Sequence, residues 1–311
     1  MNQANLPLSE IDVGTVAIVD HINDSEVLRL GAKHILEQGY LIVRNAFDVE
    51  FIQQAHREYL AEYEDYFVEK LFADAMTVGD KRTMITLNFK GVFSSSQLYA
   101  NPKLLPLIKY LLGSNYIINS LGSVVSLPSA KDQHIHRDNP IIYLSETTSE
   151  KDFSWVRNAP PYAITIGIPL VPLTPLTGNT RFWPGTHFST SNAIPEDPGP
   201  GVDYTADLGT CVLFDYRILH AGIANNSDQI RPLLYNVYSC AWFRDVFNYS
   251  LQNSLHITEE NIREIPKIYR HLFEWVLDAE ATKRLKVEEM HRNDPCYCGS
   301  RVRYKYCHGK P

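Results

Sequence analysis

Residues 132–140 read DQHIHRDNP, which places His134, His136 and Asp138 at every second position. On an extended strand alternate side chains share a face, so all three would point the same way. Two imidazoles and a carboxylate can take hold of a metal ion, but this stretch alone leaves open which of the three bind. A second cluster ends the chain. Cys296, Cys298, Cys307 and His308 are spaced C-x-C-x8-C-H. Three thiolates and an imidazole make a tetrahedral donor set of the structural zinc kind. A unit of about 20 residues has no adequate core, so the ion would hold its fold.

The pair His136–Asp138 needs a third ligand from elsewhere. His220 supplies one, at the end of the apolar run LFDYRILHAG and separated from Asp138 by 81 intervening residues. Two histidines and one carboxylate on one side of an octahedron leave three positions open, as in non-haem Fe(II) oxygenases. Those positions suit a bidentate oxoacid and dioxygen. A 2-oxo acid with a second carboxylate then needs a fixed cation. Arg231 follows His220 after 10 residues, in another strand-like run. Its planar fork matches a carboxylate bidentately. This choice leaves His134 one strand repeat behind the ligands, about 6–7 Å back along the chain. Its reading stays divided between a structural histidine and a contact in the substrate pocket.

The elements that must position these groups are legible in the periodicity. SEVLRLGAKHILEQ reads as a helix stopped by Gly39, followed by the buried strand YLIVRN. DVEFIQQAHREYLAEYEDYFVEKLF is helical, with Asp48 as N-cap. LLPLIKYLL is a short helix ending at Gly113. From Tyr116 to Trp242 the chain turns into short β-rich runs punctuated by Pro, Gly, Asn and Asp, the pattern of a sandwich or barrel. Residues 258–290 are helical again, with Thr258 as N-cap.

Bulk properties narrow the partners. Apolar residues make up 44% of 311, enough for a sizeable core. The net charge of −7 argues against a protein that coats nucleic acid. Charge is uneven: residues 291–311 carry +4, leaving −11 on the rest. No run of about 18 apolar residues exists, so no membrane span is expected. The N-terminus lacks the pattern of a signal peptide. Three of the five cysteines fall in the last 16 residues, which suits a metal site in a reducing cytoplasm better than a disulfide framework.

Four segments together carry a family resemblance. EQGYLIVRNAFDVEFI, HRD, TGNTRFWPGTH and FDYRILHAGIANNSDQIRP occur in this order over about residues 30–245. In these the chain resembles the phytanoyl-CoA dioxygenase-like branch of the Fe(II)/2-oxoglutarate oxygenases. The resemblance implies a mainly β fold with flanking helices, whose core is a double-stranded β-helix (a jelly roll, cupin-like). It implies that His136, Asp138 and His220 hold iron and that Arg231 holds the far carboxylate of 2-oxoglutarate. Some relatives carry a hydroxyl two residues after the distal histidine; here that residue is Gly222. Lys81 and Thr83 are candidates for further cosubstrate contacts. An intact Asp138 points to hydroxylation of a small organic molecule with O₂, releasing succinate and CO₂, rather than halogenation. The last residues closely resemble the SEC-C zinc motif, with Tyr297 where Pro is usual and Arg301 where Gly is usual.

The expected organisation is therefore an oxygenase domain over 1–257, a helical extension over 258–290 and a zinc module over 291–311. The substrate pocket is expected to draw on His134, Tyr143, Trp155, Arg181 and Trp183, with Tyr162 as a further apolar wall. Two other readings stand beside the hydroxylase. One is a non-catalytic jelly-roll scaffold that recruits a protein partner through its zinc module. The other is the same iron centre carrying out desaturation or ring closure.

Overall fold

The computed structural model describes residues 9–13, 26–67, 75–142, 158–249, 253–278, 291–293, 303 and 305. Eleven strands and five α-helices are described. In chain order the first are β1 (Glu10–Asp12), α1 (Glu26–Gln38), β2 (Tyr40–Arg44), α2 (Val49–Tyr63), β3 (Ala75–Thr77) and β4 (Arg82–Thr86). They are followed by α3 (Ser96–Tyr99), α4 (Leu105–Leu112), β5 (Tyr116–Ser126), β6 (Ala163–Pro169), β7 (Thr180–Trp183) and β8 (Val202–Tyr204). The last are β9 (Cys211–Asp215), β10 (Leu219–Gly222), β11 (Arg231–Cys240) and α5 (Glu259–Glu264).

Eight strands form one large sheet in the order β1-β2-β9-β6-β11-β5-β4-β3, and a smaller sheet runs β10-β7-β8. The large sheet is mixed, because β1 joins β2 in parallel while its other neighbours run antiparallel. The expected jelly-roll architecture is thus present: a large sheet facing a small one, with helices behind. Strand alternation separates the two faces of the large sheet. Leu41 and Val43 of β2, Leu213 of β9, Ile166 of β6 and Leu234 of β11 share one buried cluster with Leu28 and Ile35 of α1 and Ile52 of α2. The opposite face looks inward at the small sheet and bounds a cavity of about 550 Å³.

Local chemistry explains where the elements stop. Gly39 at φ +86° takes the left-handed conformation between α1 and β2. Its Cβ-free face is also needed, since a Cβ there would lie 2.6 Å from His187 Nδ1. Thr258 and Asn261 form a capping box at the start of α5. The helix expected after it is interrupted. Pro266 follows Ile265 at ψ 135°, α5 ends after six residues, and Lys267–Leu272 continues as a 3-10 turn. A residue before proline is forced out of the helical region, so the long periodic pattern breaks there. Asp48 stands at the cap position of α2, but its side chain makes no cap hydrogen bond.

Candidate active site

Three ligand atoms, one each from His136, Asp138 and His220, lie within 4.8 Å of one another. The register of the small sheet brings them together. His136 and His220 exchange both backbone hydrogen bonds, at 3.0 and 2.9 Å, as an isolated antiparallel bridge beside β10. The HIHRD stretch was expected to be a strand; it pairs at this one residue, and the chain turns away at Asp138–Pro140. The two imidazoles are oriented alike. Nδ1 of His136 is 2.9 Å from the His134 carbonyl, and Nδ1 of His220 is 3.2 Å from the Ile218 carbonyl. With Nδ1–H donating to a carbonyl, each ring keeps the Nε2 lone pair for a metal. The His220 ring is held between Phe214 and Phe182, at centroid distances of 4.9 and 6.0 Å.

Asp138 is fixed from two sides. Thr165 Oγ1 of β6 donates to its Oδ2 at 3.1 Å, and His220 Nε2 lies 3.4 Å from its Oδ1. Burial, the largest influence, would raise the carboxyl's pKa, but His220, His136 and the Thr165 hydrogen bond together outweigh it and hold Asp138 below its usual range. Burial would likewise lower His220, and Asp138 reverses the sign, so the pKa of His220 is raised. His136 is pushed down to about 4, by burial first and by the charge of His220 second. The chemistry of this donor set fits a divalent transition metal. With the His220 ring deprotonated it offers two neutral imidazoles and one carboxylate, open on the cavity side.

The far end of the same cavity is cationic. Arg231 is 3% exposed, its Nη1 reaches only the Asn179 carbonyl at 3.5 Å, and its Nε has no partner. Burial, with the charge of a neighbouring arginine, pushes it down to about 9, so it remains a cation at neutral pH. That neighbour is Arg82, which sequence reasoning missed while naming Lys81 and Thr83 on either side. Arg82 is 1% exposed and is also pushed down, chiefly by burial. Its Nη2 donates to the carbonyls of Lys131, Gly222 and Ile223, while Nε and Nη1 are unpartnered. Neither guanidinium takes part in an ion pair among the described residues. The signal that could have found Arg82 is the RTMIT run, whose alternation puts Arg82 and Met84 on one face. Lys81 instead turns outward to the Pro128 carbonyl.

Gly222 lies where some relatives carry a hydroxyl, and its lack of a side chain has a steric role. A Cβ there would sit 3.1 Å from Arg82 Nη1 and 2.9 Å from Gln133 Oε1. The remaining expected pocket residues divide. His134 lines the cavity, is exposed, and lies tilted at 5.2 Å from the His136 ring without joining the ligand cluster. Arg181 and Trp183 do not line the cavity. They oppose Ala221 and Leu219 in the β7–β10 ladder, so alternation turns them to the outer face, while Phe182 faces inward opposite His220. Arg181 forms a two-point ion pair with Asp203, and Trp183 donates to the Gly199 carbonyl. Tyr162 is buried against Phe243 rather than in the cavity. Tyr143, Trp155 and all four expected zinc ligands lie outside the described residues.

Comparison with known proteins agrees with this geometry. The family model for phytanoyl-CoA dioxygenase matches residues 35–233. The chain belongs to the phytanoyl-CoA dioxygenase family. A second family model, the SEC-C motif, matches residues 292–310. A curated relative, the dioxygenase af480 of Aspergillus fumigatus, is 26% identical over 156 residues. The match covers 49% of this chain and 47% of that protein, so the chain spans about half of the relative's length. Among solved structures, the epimerase SnoN in complex with Fe³⁺, α-ketoglutarate and nogalamycin RO superposes with TM-score 0.51 at 18% identity. It covers 75% of this chain and 96% of SnoN. EvdMO1 superposes with TM-score 0.52 at 20% identity, covering 68% of this chain and 50% of its own. These two likenesses concern the fold. Family membership supports an iron- and 2-oxoglutarate-dependent oxygenase-type enzyme. Among the described residues no helix is long and apolar enough to cross a membrane.

Proposed function

We propose that the chain is an Fe(II)- and 2-oxoglutarate-dependent oxygenase that hydroxylates a C–H bond of a small organic molecule. The observation that carries this reading is one cavity holding a His–Asp–His cluster together with two buried, unpaired guanidiniums. Iron is assigned to His136, Asp138 and His220, and the far carboxylate of 2-oxoglutarate to Arg231 and Arg82. When bound, the iron and its cosubstrate supply the oxidising power, drawn from O₂ and the decarboxylation of 2-oxoglutarate to succinate.

The chain's own residues bind, orient and shield. Nδ1 contacts at the His134 and Ile218 carbonyls fix both rings. Thr165 fixes the carboxylate of Asp138. The two guanidiniums anchor a dianion in a single orientation, because the opposite end of the cavity offers it no comparable cation pair. Val212, Phe214 and Leu233 line the wall near these groups and exclude water. For the C-terminal segment we carry forward a structural zinc on Cys296, Cys298, Cys307 and His308, with an appended role in contacting a protein partner. The zinc reading rests on the SEC-C match at residues 292–310, and the partner role is an extension of it.

The experiment is succinate formation by protein loaded with Fe(II) under exclusion of oxygen and then exposed to air with 2-oxoglutarate. Activity should require Fe(II) and vanish in His136→Ala. Iron-loaded protein that forms no succinate with any of a broad substrate panel would overturn the reading. Product mass separates a gain of one oxygen from the loss of two hydrogens that desaturation or ring closure would give.

A further inference from the structure

Next to the guanidiniums the cavity changes chemistry. Met84 of β4 and Val124 of β5 stand one strand repeat from Arg82 and Ser126, and with Met76 of β3 and Val237 of β11 they present an apolar wall. Two phenols interrupt it. Tyr235 of β11 and Tyr249, in the segment that follows, both line the cavity, and their hydroxyls lie 2.8 Å apart. Gly122 makes this arrangement possible. A Cβ at position 122 would come within 2.2 Å of the Tyr235 hydroxyl, so the ring crosses β5 only because that strand has no side chain there. Burial raises both phenols, so both keep their protons at physiological pH. When two neutral hydroxyls pair, one spends its proton on the other, and the second retains an O–H for a third group. The Ser120 hydroxyl of β5 also stands at Tyr249, and three hydroxyls joined by two hydrogen bonds still leave one O–H to donate.

The apolar surface also continues outward. Ile194 and Phe247 line the cavity, yet they are 45% and 65% exposed. Among the described lining residues the one carboxylate is Asp138, which the proposed function commits to iron. A cationic substrate would find no partner there.

We propose that the substrate is a neutral, largely apolar molecule bearing a carbonyl, ether or hydroxyl oxygen, and that the Tyr235–Tyr249 pair recognises this oxygen by hydrogen bonding. The inference rests on the oxygenase reading, since it names the occupant of that same cavity. A site built to donate a hydrogen bond discriminates strongly against an analogue that lacks the acceptor, because its buried O–H is then left unpaired.

The test uses three probes with one skeleton: 2-adamantanone, adamantane and protonated 2-aminoadamantane. Binding to the full chain is read as displacement of the neutral dye Nile red, with and without Fe(II) and 2-oxoglutarate in the absence of oxygen. The ketone should bind at least about tenfold tighter than either analogue. The double variant Tyr235→Phe/Tyr249→Phe should bring ketone and hydrocarbon to within about threefold, whereas either single variant leaves one phenol with its O–H and keeps part of the preference. The double variant should leave hydrocarbon affinity and the 2-oxoglutarate-dependent absorption of the iron protein unchanged. Preferred binding of the amine, a full ketone preference in the double variant, or no displacement by either neutral probe would each overturn the proposal. Absence of the 2-oxoglutarate-dependent absorption in the unmutated protein is a separate result. It would count against the cosubstrate reading and leave the probe measurements intact.

Discussion

Arg82 and Arg231 flank a single residue. In the large sheet both stand opposite Ser126, Arg82 from β4 on one side of β5 and Arg231 from β11 on the other. Residues opposed across neighbouring strands project to the same face, so the two guanidiniums are side by side by register. Two like charges buried together repel; among the described residues neither forms an ion pair, and Asp132 and Asp80 offset only part of the desolvation of Arg82. Such a pair suits a ligand that brings the missing negative charge.

The two arginines should respond differently to truncation. Arg231 makes one long hydrogen bond, so Arg231→Met relieves repulsion at little cost. The free protein should become more stable by about 1 kcal/mol or more. Arg82→Met strips the carbonyls of Lys131, Gly222 and Ile223 of a donor and should destabilise it by a similar amount. Both variants should bind 2-oxoglutarate at least about 30-fold more weakly. Thermal unfolding with and without 2-oxoglutarate measures both effects. Equal stabilisation by 2-oxoglutarate in Arg231→Met and the unmutated chain would refute the assignment.

Gly222→Ser restores the hydroxyl found in some relatives, yet it should weaken cosubstrate binding here. Its Cβ would press on Gln133 Oε1 and Arg82 Nη1. Displacing Arg82 by a few tenths of an ångström should cost about 1–3 kcal/mol, or roughly 5–150-fold in 2-oxoglutarate affinity. Adding Arg82→Lys should recover part of the loss, because the shorter head group vacates the contact. A titration of 2-oxoglutarate against the two variants decides it.

The site was legible where its signal was local or carried by fixed spacing. The pair His136–Asp138, the distal His220 and the trailing Arg231 have types and intervals that few other roles would require. The strand runs β5, β6, β9 and β11 were readable because each is an apolar run bounded by turn residues. Arg82 was not readable, because its strand is five residues long and sits in a hairpin whose partner, β3, has three. The RTMIT alternation sets Arg82 on the same face as Met84, but only the register with Ser126 brings that face beside Arg231. Arg181 and Trp183 lie in a motif-bearing segment, but the face a strand residue takes depends on a pairing that the segment does not contain. Residues 258–290 were read as one helical stretch, whereas Pro266 holds Ile265 out of the helical region and ends α5.

Asn248 should matter for iron although it is not a ligand. Its Nδ2 donates to the Asp138 backbone carbonyl at 2.7 Å and to Asp245 Oδ2 at 2.8 Å. The same Asp245 oxygen accepts from Tyr216, so the segment after β11 is tied both to the sheet and to the ligand loop. Asn248→Ala frees the Asp138 turn, and loss of such a supporting contact typically costs about 10–100-fold in metal affinity or activity. Asn248→Asp should be worse, since it sets a carboxylate against Asp245. Mn(II) titration by calorimetry gives the affinity. Unchanged values in both variants would dismiss the role.

The C-terminal segment makes a prediction independent of the iron site. Protein purified without chelator should retain about one zinc, and Cys296→Ser or Cys307→Ser should lose it. Fe(II)-dependent succinate formation should persist in both, because the metal sites draw on separate residues. Elemental analysis beside the activity assay separates the two. Loss of iron activity together with zinc would mean that the segment supports the oxygenase domain directly.

Acid should release iron through one histidine. A ligand must be deprotonated to bind metal. His136, held down at about 4, is already neutral above pH 5 and exchanges no proton on binding. His220 has its pKa raised by Asp138 above the ordinary 6.5, so below that raised value binding must expel one proton from its ring. The sign follows: metal affinity is constant above the raised pKa of His220 and falls about tenfold for each pH unit beneath it. Mn(II) titrations between pH 5 and 9 should show a slope of about one, with about one proton released per metal at the acid end. A slope of two would mean that His136 also carries a proton in the metal-free protein. That would contradict the burial that sets its low pKa.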